Sequence, residues 1–269
     1  MAVNIYFATP HVQQLPPGLR FPMGKYERLR QRLGQELPEL RLSLADPVSD
    51  GELALVHSPA YIEAVVTGSL SAAQQREIGF PWSPGMVERA RRSSGATVMA
   101  ARSAMREGLA ANLAGGTHHA YPDKGSGFCV FNDAAVCARL MQAEWLRSHR
   151  HPLAVAIIDL DVHQGNGTAH VFANDPTVFT LSMHGDKNFP FRKELSDLDV
   201  ALADGCNDLD YLAALEQAPH ELDCRLGRRV DRRFCVGRRF GSIQLADDAL
   251  AVHSRPKLRN AHPSIVSNM

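Results

Sequence analysis

Apolar positions along the chain fall into short continuous runs separated by longer amphipathic stretches. Residues 3–8, VNIYFA, read as a first buried strand. PHVQQLPPGLRFPMG (10–24) is punctuated by proline and glycine and reads as a loop, followed by a helix starting near Lys25. Residues 50–71 read as a turn and then a helix carrying Tyr61, Val65 and Val66. Residues 81–116 form a long alanine-rich stretch, predicted helical up to the double glycine Gly115-Gly116. NDAAVCARLMQAEWL (132–146) predicts another helix, with Asn132 or Asp133 as its cap. Leu153 to Ile158 is a run of mostly branched residues, the pattern of a strand buried on both faces of a parallel sheet. GTAHVFAND reads as a short helix, and TVFTLSMHG (177–185) as a second buried strand. Strand, helix and strand alternate, so the predicted class is α/β with a mainly parallel sheet flanked by helices.

Composition narrows the choices. The chain has 269 residues, with 29 basic and 29 acidic side chains. That balance gives no reason to expect nucleic acid or a membrane surface as partner. No apolar run approaches the ~18 residues of a membrane span. The five cysteines are scattered and form no Cys-x-x-Cys pair, which suggests reduced thiols. The opening residues show no basic segment leading into a long apolar stretch, so a cytoplasmic location is expected.

The chemistry concentrates in two segments. In IIDLDVHQGNG, Asp159, Asp161 and His163 alternate with Leu160 and Val162. On a continuing strand these three polar groups would share one face at its carboxyl end, where ligand sites of open α/β sheets form. Two neighbouring carboxylates need compensation, and a divalent ion is the simplest source. Asp161 and His163 offer oxygen and nitrogen donors suited to zinc, but a catalytic zinc takes three protein donors and an open position. An isolated Asp-x-His is often only a hydrogen-bonded pair; the added Asp159 and a separate histidine pair favour a metal. Gly165-x-Gly167 lacks the third glycine of a dinucleotide turn, His170 standing there instead. A two-metal ureohydrolase would want a carboxylate where Gly165 stands, which favours one metal. The second segment is GGTHHA (115–120). An extended strand would send His118 and His119 to opposite faces, so only a turned backbone converges them, and the two glycines permit one. Two imidazoles beside a metal-bound water suit proton transfer to and from a reacting amide.

LPPGLRFPMGKYERLR, HSPAYIEAVVTGSLS, GGTHHA, GSGFCVFNDAAV, IIDLDVHQGNGT and VFTLSMHGDKNFPF together resemble, in order and spacing, the histone deacetylase superfamily. The resemblance runs to about residue 217, with Leu19 where a histidine is common. It implies an arginase/deacetylase-like α/β fold and hydrolysis of acetyl groups from protein lysines or polyamines. It implies Asp161 and His163 as ligands of zinc, with iron as the alternative, and His118 and His119 as the proton-transfer pair. Asp159 would orient His118 and, with Ser182 and Met183, bind a structural K+ or Na+. Asn166 would sit behind His119. Gly127, Phe128 and Phe189 would line a narrow channel for the acylated stem.

The resemblance stops at the tail. Residues 1–217 read as an incomplete catalytic domain, and 218–269 as an Arg-rich segment with the texture of a GC-rich gene read out of frame. The strand that would bring the third metal ligand and the glycine-rich loop with an oxyanion-stabilising tyrosine are not recognisable there. Tyr211 is the last tyrosine, and the sheet is expected to lack its final strands. The expected consequence is weak or absent turnover. The alternative is a non-catalytic acyl-lysine or metal-binding module with a basic tail.

Overall fold

Strand β4 (Ala154–Asp159) is buried on both faces, as its unbroken apolar run requires. Val155 and Ile157 join one hydrophobic core, and Ala156 and Ile158 join the other. A computed structural model of the chain describes residues 3–9, 21–226, 233–238 and 242–246. The loop of 10–24 therefore lies largely outside the described residues, Leu19 included.

The amino-terminal part comprises β1 (Asn4–Phe7), α1 (Gly24–Glu36), β2 (Arg41–Leu44), α2 (Asp50–Leu53), α3 (Pro59–Thr67) and α4 (Ala72–Ile78). Then come α5 (Pro84–Glu107), β3 (Leu109–Asn112) and α6 (Asp133–His149). After β4 follow α7 (Asn166–Phe172), β5 (Val178–Gly185), β6 (Leu198–Leu202), α8 (Asp208–Leu226), β7 (Arg233–Arg238) and β8 (Ser242–Ala246). The eight strands form one sheet in the order β2-β1-β3-β8-β7-β4-β5-β6. Every pair is parallel except the two made by β8. The carboxyl ends of β3, β4, β5 and β7 thus open on one edge.

Local chemistry explains the helix limits. Ser58 and Ser83 cap α3 and α5, each followed by proline at the first helical position. Asn132, not Asp133, caps α6, its side chain accepting from the Ala135 amide at 3.0 Å. Helices α5 and α6 cover one face in the larger core with Val98, Ala101, Val136 and Met141. On the other face, Phe179, Leu181, Met183 and Leu198 pack with Tyr211 and Leu215 of α8.

Two elements depart from the sequence pattern. The helix predicted across 81–116 ends at Glu107, and Leu109–Asn112 become β3, paired in parallel with β1. Gly108, at φ +87°, ends the helix with its amide on the Ala104 carbonyl. The tail, where no strand is predicted, contributes β7 and β8 to the middle of the sheet. Helix α8 runs across residue 218. Of the tail's aspartates, Asp223 falls on α8, and Asp231, Asp247 and Asp248 lie outside the described residues.

One buried histidine ties the site loops to this frame. His57, between α2 and α3, is 1% exposed. Its Nε2 accepts from the Asn132 amide at 2.9 Å, and its Nδ1 lies 3.0 Å from the Tyr121 carbonyl, to which it donates. The ring is therefore neutral, and burial pushes its pKa down to about 4. The unfolded chain takes up this proton near pH 6.5 and the folded chain only near 4, so stability rises with pH across that window. The contribution is complete above about pH 6.5 and lost on acidification, about 2 kcal/mol of it by pH 5. Urea midpoints at pH 7 and pH 5 are expected to fall less steeply for His57→Gln than for the unaltered chain; equal slopes would refute the assignment.

Candidate active site

The loop after β3 carries the paired histidines. Gly116 takes a left-handed φ of +86°, and His118 and His119 occupy a turn, as the sequence requires for convergence. Their ring centroids lie 4.0 Å apart, and both side chains are buried. Asp133 anchors the loop. Its carboxylate accepts from the Gly116 amide at 3.0 Å, the Thr117 amide at 2.7 Å, the Thr117 hydroxyl at 2.7 Å and the Thr97 hydroxyl at 2.6 Å. Sequence reasoning offered Asp133 only as a helix cap and missed this role.

The second group converges by a route the alternation did not foresee. Strand β4 ends at Asp159, and residues 161–163 are bends rather than pleated strand. The turn is made by the carboxylates themselves. Asp159 Oδ1 accepts from the Asp161 amide at 3.0 Å, and Asp161 Oδ1 accepts from the His163 amide at 2.9 Å. Asp159 is buried, whereas Asp161 and His163 are part-exposed at the edge of the sheet.

The two groups meet through hydrogen bonds. Asp159 Oδ2 accepts from His118 Nδ1, which turns His118 Nε2 to within 3.9 Å of Asp161 Oδ1. His119 Nδ1 lies 2.7 Å from Asn166 Oδ1 at the start of α7. His163 Nδ1 lies 3.0 Å from Asp161 Oδ1. Gly165 has no room for a side chain, since a Cβ there would fall on Asp159 Oδ2. Ser182 on β5 is in register with Asp159, and Met183 is buried beside it. Ser182 Oγ lies 3.0 Å from Nδ1 of buried His184, whose pKa burial pushes down.

Aromatic walls flank the histidines. The Phe189 ring stands edge-on to His119 at 5.0 Å and to His163 at 6.1 Å. A Cβ on Gly127 would come within 2.8 Å of His119 Cδ2 and 3.1 Å of Phe189 Cε1. Phe128, at φ +65°, packs on Phe21 and Phe80 and remains 39% exposed.

The site does not hold the expected metal set among the described residues, where no group of three or more histidine, cysteine or acidic side chains is placed to hold an ion. Asp161 and His163 are two donors, one short of a catalytic zinc. On the other side of β4, Arg238 of β7 is the register partner of Asp159, and residues 233–246 contain no carboxylate. Tyr211 packs on the second core under α8. A different tyrosine, Tyr121, lies behind the site with its hydroxyl 3.0 Å from Asn166 Nδ2.

No helix among the described residues is long and apolar enough to cross a membrane. The family model "Histone deacetylase domain" matches residues 21–223. An uncharacterised protein of Picosynechococcus is 44% identical over 261 residues, covering 93% of this chain and 84% of the relative. So little of the chain is left out that this similarity extends beyond residue 218. Histone deacetylase 2 of Arabidopsis thaliana is 31% identical over 176 residues, 62% of this chain but only 44% of the plant protein. The fold is similar to the crystal structure of an HDAC homolog complexed with SAHA, with a TM-score of 0.72 at 22% identity over 87% of this chain and 68% of that one. The chain therefore belongs to the histone deacetylase family.

Proposed function

We propose that the chain is an amide hydrolase of the deacetylase type, acting on an acetylated amine, either a protein lysine or a polyamine. The observation that carries this reading is the convergence of two buried imidazoles beside Asp161 and His163. Amide hydrolysis moves two protons: water loses one as it attacks, and the amine gains one as it leaves. His118 and His119 each have Nδ1 engaged by a different partner, and each Nε2 is the nitrogen proposed for one of those two transfers. The Phe189 ring beside His119, with no side chain at Gly127, suits the aliphatic stem of such an amine. Phe128, next in the chain to Gly127 and 39% exposed, is proposed to extend this apolar wall. The register of Asp159 with Ser182, next to Met183, supports a structural K+ or Na+ there.

Among the described residues the proposed metal-holding half has two donors. A catalytic zinc or iron would take Asp161 and His163, and the third donor is not among the described residues. Loss of a mere hydrogen-bond partner to a ligand typically costs ~10–100-fold in metal affinity or activity. Loss of a ligand exceeds that, so the chain is proposed to turn over slowly. Residues 218–269 are proposed as a segment that no longer supplies this donor.

These readings separate in one set of assays. The full chain, dialysed and then offered zinc or iron, is expected to retain well under one equivalent by elemental analysis. It should hydrolyse an acetyl-lysine peptide and an acetylpolyamine only slowly. Full occupancy with brisk turnover would sink the proposed impairment. Peptide binding with no turnover under any loading would replace the hydrolase by a binding module.

Substitution tests the proton pair and its wall. His119→Ala is expected to reduce the chain's own rate by about 10²–10⁴-fold. Gly127→Ala should displace the His119 ring and lower the rate by about 10²-fold, with a lowered thermal midpoint because Gly127 has a left-handed φ. Rates within twofold of the unaltered chain would exclude both roles.

A further inference from the structure

Behind the site, hydrogen bonds run from His119 outward: to Asn166, then to the Tyr121 hydroxyl, then to Glu194. Asn166 Nδ2 donates to Tyr121 Oη at 3.0 Å, and Tyr121 Oη donates to Glu194 Oε1 at 3.2 Å. The Glu194 end is fixed by its backbone. Its amide donates to Gln164 Oε1 at 2.9 Å, and its carbonyl accepts from Gln164 Nε2 at 2.8 Å. Gln164 is itself 1% exposed. His170 Nδ1 lies 3.8 Å from the same carboxylate oxygen.

Each link in this chain has a forced direction. An ionised carboxylate only accepts, so the hydroxyl of Tyr121 must donate to Glu194. Burial, with the Glu194 charge next, raises the Tyr121 pKa to about 12, so the hydroxyl keeps its proton. With its proton committed, Tyr121 Oη can only accept from Asn166, which must therefore present Nδ2. The amide oxygen then faces His119, 2.7 Å from Nδ1. An amide oxygen only accepts, so Nδ1 carries the proton and Nε2, turned away from Asn166, is the basic nitrogen.

We propose that Glu194, acting through Tyr121 and Asn166, is a positioning residue that fixes the tautomer of His119. Without the carboxylate, the Tyr121 hydroxyl is free to donate to the amide oxygen. Asn166 can then present its NH₂ to His119, and the proton moves to Nε2. Glu194 touches neither histidine; it acts by setting hydrogen-bond direction. The inference concerns the site read above as a proton-transfer pair, but its test needs no turnover, so the two stand or fall separately.

The test is the imidazole nitrogen spectrum of the full chain labelled with ¹⁵N-histidine, His119 being assigned by its loss in His119→Gln. The unaltered chain at neutral pH is expected to show His119 protonated at Nδ1 and bare at Nε2. Glu194→Ala keeps both backbone bonds to Gln164 and removes a part-exposed side chain, so its fold is expected to survive. In it, the Nδ1-H to Nε2-H ratio should fall by about tenfold, the worth of one net hydrogen bond. Tyr121→Phe cuts the same chain one link nearer and should shift the ratio the same way. A His119 protonated at Nε2 in the unaltered chain would overturn the proposal. So would an unchanged ratio in either folded variant.

Discussion

The carboxylate of Asp133 is buried at 2% exposure with no cation among its hydrogen-bond partners, and the shape of the site depends on how that charge is satisfied. Burying an ionised carboxylate is costly unless donors surround it. Here the donors are the Gly116 and Thr117 amides and the Thr117 and Thr97 hydroxyls. Two of them are backbone groups of the loop that must turn before His118. The charge thus selects the one loop conformation that aims two amides at it, and that conformation sets where His118 and His119 emerge. Each such charge-assisted bond is worth about 1.5–3 kcal/mol, enough to outweigh the entropy of a few glycine-rich residues.

The frame that receives this loop is the sheet. Strand β3 delivers the histidines and β4 delivers the acids, and the two are not neighbours: β8 and β7 lie between them. Convergence therefore depends on loops crossing over the carboxyl edge. His57 and Asn132 clamp that crossing. His57 joins Tyr121 to Asn132, and Asn132 both caps α6 and donates from Nδ2 to the Ala120 carbonyl at 3.1 Å. The same few side chains start a helix, close a core and hold the histidine turn, so local folding and site geometry are coupled.

What the sequence conveyed follows from the range of the interactions involved. The buried runs at β4 and β5 and the helices α3 and α6 were readable because period, capping serine or asparagine, and proline all act within a few residues. The turn at His118-His119 was readable because two glycines precede it. Strand β3 was not, because LAAN has no β-branched residue and follows an alanine-rich helix; pairing with β1 decides it. Strands β7 and β8 were hidden by the arginines around FCV and by the polar Ser242 and Gln244 within SIQLA. Asp161 and His163 do lie together, but carboxylate-made bends, not strand pleat, bring them round. Asp133 and Glu194 act on partners 16 and 73 residues away, and no local pattern announces such bonds.

The acids at the edge of β4 are held by hydrogen bonds among the described residues. Asp159 has the Asp161 amide and His118 Nδ1 as hydrogen-bond donors, and Asp161 has the His163 amide and the His163 ring. These bonds discharge much of the cost of holding two carboxylates together, which an ion would otherwise meet. Asp161 and His163, were they to hold a divalent ion, would give up for it the 3.0 Å contact between His163 Nδ1 and Asp161 Oδ1. With a third carboxylate the exchange favours the ion, since a full donor set replaces one hydrogen bond. With two, the bond between the donors competes with the ion that would use them. Asp159 and Asn166 hold the Nδ1 atoms of the histidine pair, while His118 Nε2, 3.9 Å from Asp161 Oδ1, senses any turn of that carboxylate.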